Sequence, residues 1–253
     1  MKFLKDKIRR NKYYPYIKKK LLKYHNFRRD LLKIKYIIIS KFLGIDIKLT
    51  ASFIYGDNSD NNEYVPVYSW YIKRIMKVFN ISQNDNLLDY GSGKGAAMIF
   101  FAKYSFNRID GVEYDKYLHE IAESNFKIKN LKHLNSYNVD ATQFIDIDFY
   151  TFYFFYNPFH GKVLELTIEQ LKNSYIRNPR KIIIIYQNPL GGQLFINSEL
   201  FKNIFHCFIP SIININKNNK RYGRQFIDIY CTESLQIDFN KYGIKLIENA
   251  CDK

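Results

Sequence analysis

Asn86-Leu87-Leu88-Asp89-Tyr90-Gly91-Ser92-Gly93-Lys94-Gly95 runs an apolar stretch straight into an acidic, glycine-rich turn. Leu87 and Leu88 read as the end of a buried strand, and Ala96 to Lys103 as the helix that follows. Gly91, Gly93 and Gly95 let the backbone turn tightly and leave room for a ligand where a Cβ would collide. A turn of this kind, at the carboxyl end of a strand and over a helix start, serves a nucleotide-like ligand. Gly91-x-Gly93-x-x-Ala96 also satisfies the dinucleotide fingerprint, so the glycines alone leave NAD or FAD open. A phosphate-binding P-loop is excluded, because Lys94 is followed by Gly95 rather than Ser or Thr. Asp89 decides between the rest. A carboxylate just before the first glycine repels a pyrophosphate but suits a ligand with an ammonium, a sulfonium and no phosphate. S-adenosylmethionine (SAM) is that ligand.

Further acidic residues extend the pattern. Arg108-Ile109-Asp110-Gly111-Val112-Glu113 reads as a second strand, and Glu113 falls 24 positions after Asp89 (113 − 89). That interval fits one strand–helix–strand unit, and a carboxylate there can accept from both ribose hydroxyls. Asp140, after a third apolar segment, can accept from an adenine amino group while the Ala141 amide donates; it serves equally well as a helix N-cap. The aromatic run Phe152 to Tyr156 reads as a buried central strand with Asn157-Pro158-Phe159 at its carboxyl tip. Asn157 offers a side-chain oxygen to an acceptor, Pro158 fixes φ, and Phe159 either stacks on a planar group or joins the core.

From about Tyr64 to Pro189 the chain resembles the class I, Rossmann-like SAM-dependent methyltransferases. Asp89-x-Gly91-x-Gly93-x-Gly95 is similar to their first motif, Glu113 to the ribose-binding acid, and Asp140-Ala141 to the adenine-binding pair. Asn157-Pro158-Phe159 looks like a shortened Asn-Pro-Pro-aromatic motif of amino-group methyltransferases, with one proline missing. The wording is similar to that of small bacterial methyltransferases. In that group the element Tyr64-x-Pro66-x-Tyr68-Ser69 would close over the methionine end of SAM, which implies cofactor contacts for Tyr64, Tyr68 and Ser69. The implied fold is α/β, a mostly parallel methyltransferase sheet ending in an antiparallel hairpin.

Composition sets the wider frame. The 253 residues suit one α/β domain, residues 51–253, preceded by a basic helical extension, residues 1–50, broken at Pro15 and Gly44. Cys207, Cys231 and Cys251 are widely spaced, with no histidine cluster at ligand spacing, which reads as reduced thiols of a cytoplasmic protein without a zinc site. No apolar stretch reaches the length of a membrane span, and no h-region marks a cleaved signal. Much of the +15 net charge falls before Tyr36, interleaved with Tyr13, Tyr14, Tyr16, Tyr24 and Phe27. Three readings stand: a compositional bias with a solvated helix, attachment of residues 1–36 to an anionic membrane surface, and, less favoured, nucleic-acid contact.

Along the chain, residues 57–62 read as a polar loop beside the lid and Val67 to Phe79 as a helix. A helix over Val163 to Tyr175, a buried strand over Lys181 to Tyr186 and a helix around Ser198 follow. Ile204 to Ile215 and Gln225 to Cys231 pair as a terminal hairpin. Methyl transfer chiefly requires aligning an acceptor with the S–CH3 bond, and an alcohol acceptor also benefits from a base, for which His160 stands nearest the tip. The leading reading is methylation of a small molecule or surface-glycan precursor at a hydroxyl. Methylation of protein lysine or RNA is the runner-up, and a non-catalytic SAM or nucleotide binder the third. Oligomeric state is not legible.

Overall fold

The computed structural model describes residues 27, 30, 31, 33–49, 60–62, 64–67, 70–209 and 225–235. By contacts the chain divides into two units, Met1–Leu49 and Thr50–Lys253. In the first, residues 33–43 are helical and Gly44, at φ 64°, ends the helix. The break expected at Pro15 lies outside the described residues, as does Cys251.

The second unit opens on α1 (Trp70–Met76) and alternates thereafter: β1 (Asn86–Tyr90), α2 (Ala96–Phe101), β2 (Arg108–Glu113), α3 (Lys116–Ile128) and β3 (Leu134–Asn138). A single 3-10 turn, Ala141–Gln143, precedes β4 (Phe152–Phe155), α4 (Gly161–Arg177), β5 (Ile183–Gln187), α5 (Gly192–Asn197), β6 (Lys202–Ile209) and β7 (Gln225–Cys231). The seven strands form one sheet in the order β3-β2-β1-β4-β5-β7-β6. All neighbours are parallel except the last two pairs, β5 with β7 and β6 with β7. This is the expected mostly parallel, Rossmann-like sheet with its antiparallel hairpin. The order reverses between β1 and β4, which opens a crevice at their carboxyl ends.

Alternation along the strands divides the core in two. Leu87, Phe152, Phe154, Ile183 and Ile185 pack on one face with Met98, Phe101, Ala122 and Phe126 of α2 and α3. Leu88, Tyr90, Tyr153, Phe155, Ile184 and Tyr186 pack on the other with Leu164, Ile168, Leu171 and Phe195 of α4 and α5. Strands buried on both faces read as unbroken apolar runs, which is why β4 and β5 are plain in the sequence.

Local boundaries differ from the sequence reading. The helix expected over Val67 to Phe79 is confined to α1, because Lys77 and Val78 donate to the carbonyls of Arg74 and Ile75 and the chain turns. The helix around Ser198 ends one residue earlier, with Ser198 closing α5 through its hydroxyl on the Phe195 carbonyl at 2.6 Å. The part of the hairpin expected over 210–215 lies outside the described residues.

Candidate cofactor and acceptor site

A cavity of about 1120 Å³ occupies the crevice over β1, β2 and β4. Its first wall is the turn after β1. Gly91, Gly93 and Gly95 adopt φ of 71°, 54° and 75°, in the left-handed region. At Gly93 a side chain would also run into the ring of Tyr64, so only glycine fits. The amides of Gly91 and Ser92 are fixed by the Val112 carbonyl at 2.9 and 3.1 Å, which ties the turn to β2.

Two carboxylates on adjacent strands face this turn. Asp89 is 2% exposed, lines the cavity and has no hydrogen-bond or ion-pair partner among the described residues. Burial, reinforced by the charge of Glu113, holds its pKa well above the ordinary carboxylate range. Glu113 ends β2 and accepts from the Gly93 amide at 2.7 Å and the Asp115 amide at 2.8 Å. Burial outweighs these two donors and pushes its pKa up to about 7. Asp115 in turn caps α3, its Oδ1 accepting from the amides of Tyr117 and Leu118 at 2.8 and 3.2 Å. The ribose-type acid is thus set between a glycine turn and a helix cap.

Asp140 is the N-cap of the 3-10 turn, its Oδ1 accepting from the Thr142 amide at 2.8 Å and hydroxyl at 2.6 Å. It also lines the cavity, as does Ala141. The two readings of Asp140 are therefore compatible in one residue, with Oδ1 given to the cap.

A second wall of the cavity, next to the glycine turn, is built on the tip of β4. Pro158 and Phe159 line it, and so do Tyr156, Tyr64, Pro66 and Val67. Residues 60–62 lie against the tip as a strap. Asn61 bridges Phe159 in antiparallel fashion, the Asn62 amide donates to the Pro158 carbonyl at 2.7 Å and the His160 amide to the Asp60 carbonyl at 2.8 Å. The Asn62 carboxamide donates to the Asn157 carbonyl at 2.8 Å, and Asp60 Oδ2 accepts from the Val163 amide at 3.3 Å. The polar loop expected at 57–62 is thus anchored where it is described.

Asn157 and His160, expected to face the methyl group, are both absent from the cavity wall. Asn157 is buried, with φ 43°, and its Oδ1 accepts from the Tyr186 hydroxyl at 3.2 Å; it is absent from the cavity wall. The left-handed turn swings its side chain along the sheet towards β5. The His160 side chain is 56% exposed beside Asp60, at 3.9 Å, and is likewise off the wall. Gly93 and Gly95 shape the turn without forming wall surface, and Tyr68 and Ser69 lie outside the described residues.

Other wall residues were not singled out in the sequence. Ser92 lines the cavity with a buried hydroxyl that has no partner among the described residues. Its place in the glycine motif was the available signal. Tyr156 and Val163 had none, because the first reads as one more aromatic of β4 and the second as one more apolar residue of α4. Charge divides the wall sharply. Among the described residues, Asp89, Glu113, Asp115, Glu120 and Asp140 line it against a single cation, Lys116, in a chain of net charge +15. Among the described residues no cluster of metal-ligating side chains occurs, and no helix is long and apolar enough to cross a membrane.

No family model matches the chain. It is similar to EEF1A lysine methyltransferase 2 of Danio rerio, 32% identical over 62 residues, which span 24% of this chain and 27% of that protein. The chain therefore matches about a quarter of the length of that curated methyltransferase. Among solved structures it is similar to an uncharacterized protein from Listeria monocytogenes serotype 4b, at a TM-score of 0.50 and 10% identity, over 67% of this chain and 70% of that one. It is also similar to TYW2 of P. horikoshii in complex with MeSAdo, at a TM-score of 0.48 and 15% identity, over 81% of this chain and 85% of that one. The structural likeness is one of fold.

Proposed function

We propose that the chain is a SAM-dependent methyltransferase that acts on a small acceptor at a hydroxyl. The observation that carries the reading is Asp89, a buried carboxylate with no partner among the described residues, on the wall of an acidic cavity. Burying such a group is costly unless a ligand supplies a donor or a cation. A pyrophosphate would meet five carboxylates, whereas an ammonium and a sulfonium are drawn to them. Glu113, with both oxygens already aligned by backbone amides, accepts from vicinal ribose hydroxyls. The amide of Ala141 and the remaining oxygen of Asp140 meet the edge of an adenine ring.

When bound, SAM supplies an electrophilic methyl group. The chain then has to hold an acceptor in line and exclude water, and Tyr64 and the strap at 60–62 cover the crevice for that purpose. The cavity exceeds the roughly 300–1,000 Å³ of a single small-ligand site, which leaves room for cofactor and acceptor together. Residues 1–36 extend this proposal as a contact with an anionic membrane surface, consistent with their basic, aromatic composition. A second reading, methylation of a protein lysine, is favoured by the local match to the lysine methyltransferase of Danio rerio.

The test is a crystal of the full chain grown with S-adenosylhomocysteine. Density with the amino-acid end at Asp89 and the ribose at Glu113 is expected. An adenosine bound away from both carboxylates contradicts the proposal.

A further inference from the structure

The first unit is helical at residues 27, 30, 31 and 33–43, and one side of this helix is already covered. Tyr36 and Ser40, one turn apart, are buried, as are Ile45 and Ile47 after the stop at Gly44. The Ile45 amide donates to the Ser40 carbonyl at 3.2 Å and the Ile47 amide to the Ser40 hydroxyl at 3.1 Å, which holds the chain after Gly44 back against this side.

The other side is bare. Phe27, Leu31, Ile34, Ile38 and Phe42 are spaced four, three, four and four residues apart, the spacing that keeps side chains on one stripe of a helix. All five are exposed, from 36% at Leu31 to 85% at Phe42, and so is Ile37 beside them. A continuous exposed apolar stripe marks a surface that meets an apolar partner.

Charge chooses that partner. Arg28, Arg29, Lys33, Lys35 and Lys41 share this stretch with a single acid, Asp30, which pairs with Lys33 at 3.6 Å. By helical position Lys35 borders one edge of the stripe and Lys41 the other, and both are exposed. A second copy laid on the same stripe would set cation against cation along the seam. A nucleic acid would meet the lysines and leave the isoleucines and phenylalanines in water. A bilayer with anionic headgroups satisfies both, with acyl chains for the stripe and phosphates for lysines whose stems reach along it. No described helix is long and apolar enough to cross a membrane, so this one would lie in the plane of the interface.

We propose that Phe27, Leu31, Ile34, Ile38 and Phe42 insert together into an anionic lipid surface. The inference rests on the membrane contact read above for residues 1–36 and deepens it, because it assigns the binding to one side of a helix that runs on to Phe42 and not to basic charge alone.

The full chain is sedimented with vesicles of phosphatidylcholine alone and with vesicles of equal parts phosphatidylcholine and phosphatidylserine. Binding to the mixed vesicles is expected to be at least about tenfold tighter. The double variant Ile34→Ser, Ile38→Ser leaves every charge in place and should weaken that binding by about tenfold or more, with its lipid-free melting temperature unchanged. A wild type that does not prefer the mixed vesicles overturns the membrane reading and the inference with it. A wild type that binds, beside a double variant that binds as tightly, overturns the inference alone and leaves charge as the anchor. A lipid-free dimer that the double variant loses, or a melting temperature lowered by several degrees in that variant, gives the stripe to a second copy or to the chain's own interior and also overturns it. None of these readouts involves the cofactor, so the methyltransferase reading is tested separately.

Discussion

The two walls of the cavity are made in different ways. On the acidic wall, Asp89, the glycine turn, Glu113 and Asp115 belong to one strand–helix–strand unit, and the bonds that align them span short stretches of chain. On the wall at the β4 tip, Asn62 reaches Asn157 across 95 residues and Asp60 reaches Val163 across 103. The first holds a buried carboxylate with no partner among the described residues, whereas the second is largely apolar, with the strap hydrogen-bonded to the tip. Cofactor affinity should therefore depend on the charged groups of the first wall and little on the side chains of Asn157 and His160.

The largest expected effect lies at the acidic wall. Glu113→Ala should weaken SAM binding by about 1.5–3 kcal/mol, since it removes charged hydrogen bonds to the ribose. Calorimetry reads this directly. An Asn157→Ala protein that loses as much affinity would erase the distinction between the two walls.

Proton linkage sharpens the same contrast. Burial raises the pKa of Glu113 from an ordinary 4.5 to about 7 in the folded chain. The folded state thus holds this proton more tightly, and the stability so gained is full below pH 4.5 and lost as pH rises through 7. The loss should be about 3 kcal/mol, and Glu113→Gln should flatten it in chemical-denaturation curves collected across that window. A SAM complex favours the anion, so cofactor affinity should rise with pH up to about 7 and then level.

Smaller effects belong to the β4 tip. Asn157→Ala removes the Tyr186 hydrogen bond and should cost about 1 kcal/mol of stability while leaving SAM affinity nearly unchanged. His160→Ala, at an exposed ring, should shift stability by no more than about 0.5 kcal/mol and leave SAM affinity as it is. A melt and a SAM titration check both.

Legibility in the sequence follows the same division. The β1 turn was plain because its apolar run and glycines are contiguous, and Glu113 because one strand–helix–strand unit has a nearly fixed length. Strands β4 and β5 were plain because burial on both faces leaves nearly unbroken runs of aromatic and β-branched residues. The cap at Asp140 was legible because Asp is a preferred N-cap residue just before a short helical turn. The strap was not, since a bridge between Asn61 and Phe159 leaves no local pattern in either segment. Asn157 and His160 were placed by their nearness to a strand end, which fixes the backbone but not the side chain. The left-handed φ at Asn157, set against the preference of a residue before proline, turns that side chain towards Tyr186.

The central claim is that two buried carboxylates select a cationic, phosphate-free cofactor. Calorimetric titration of the full chain with SAM and with NADH, at one pH above 7, measures that selection most directly. The account predicts saturable binding of SAM that is weakened in Glu113→Ala, and none of NADH. Saturable binding of NADH with no heat from SAM would contradict it.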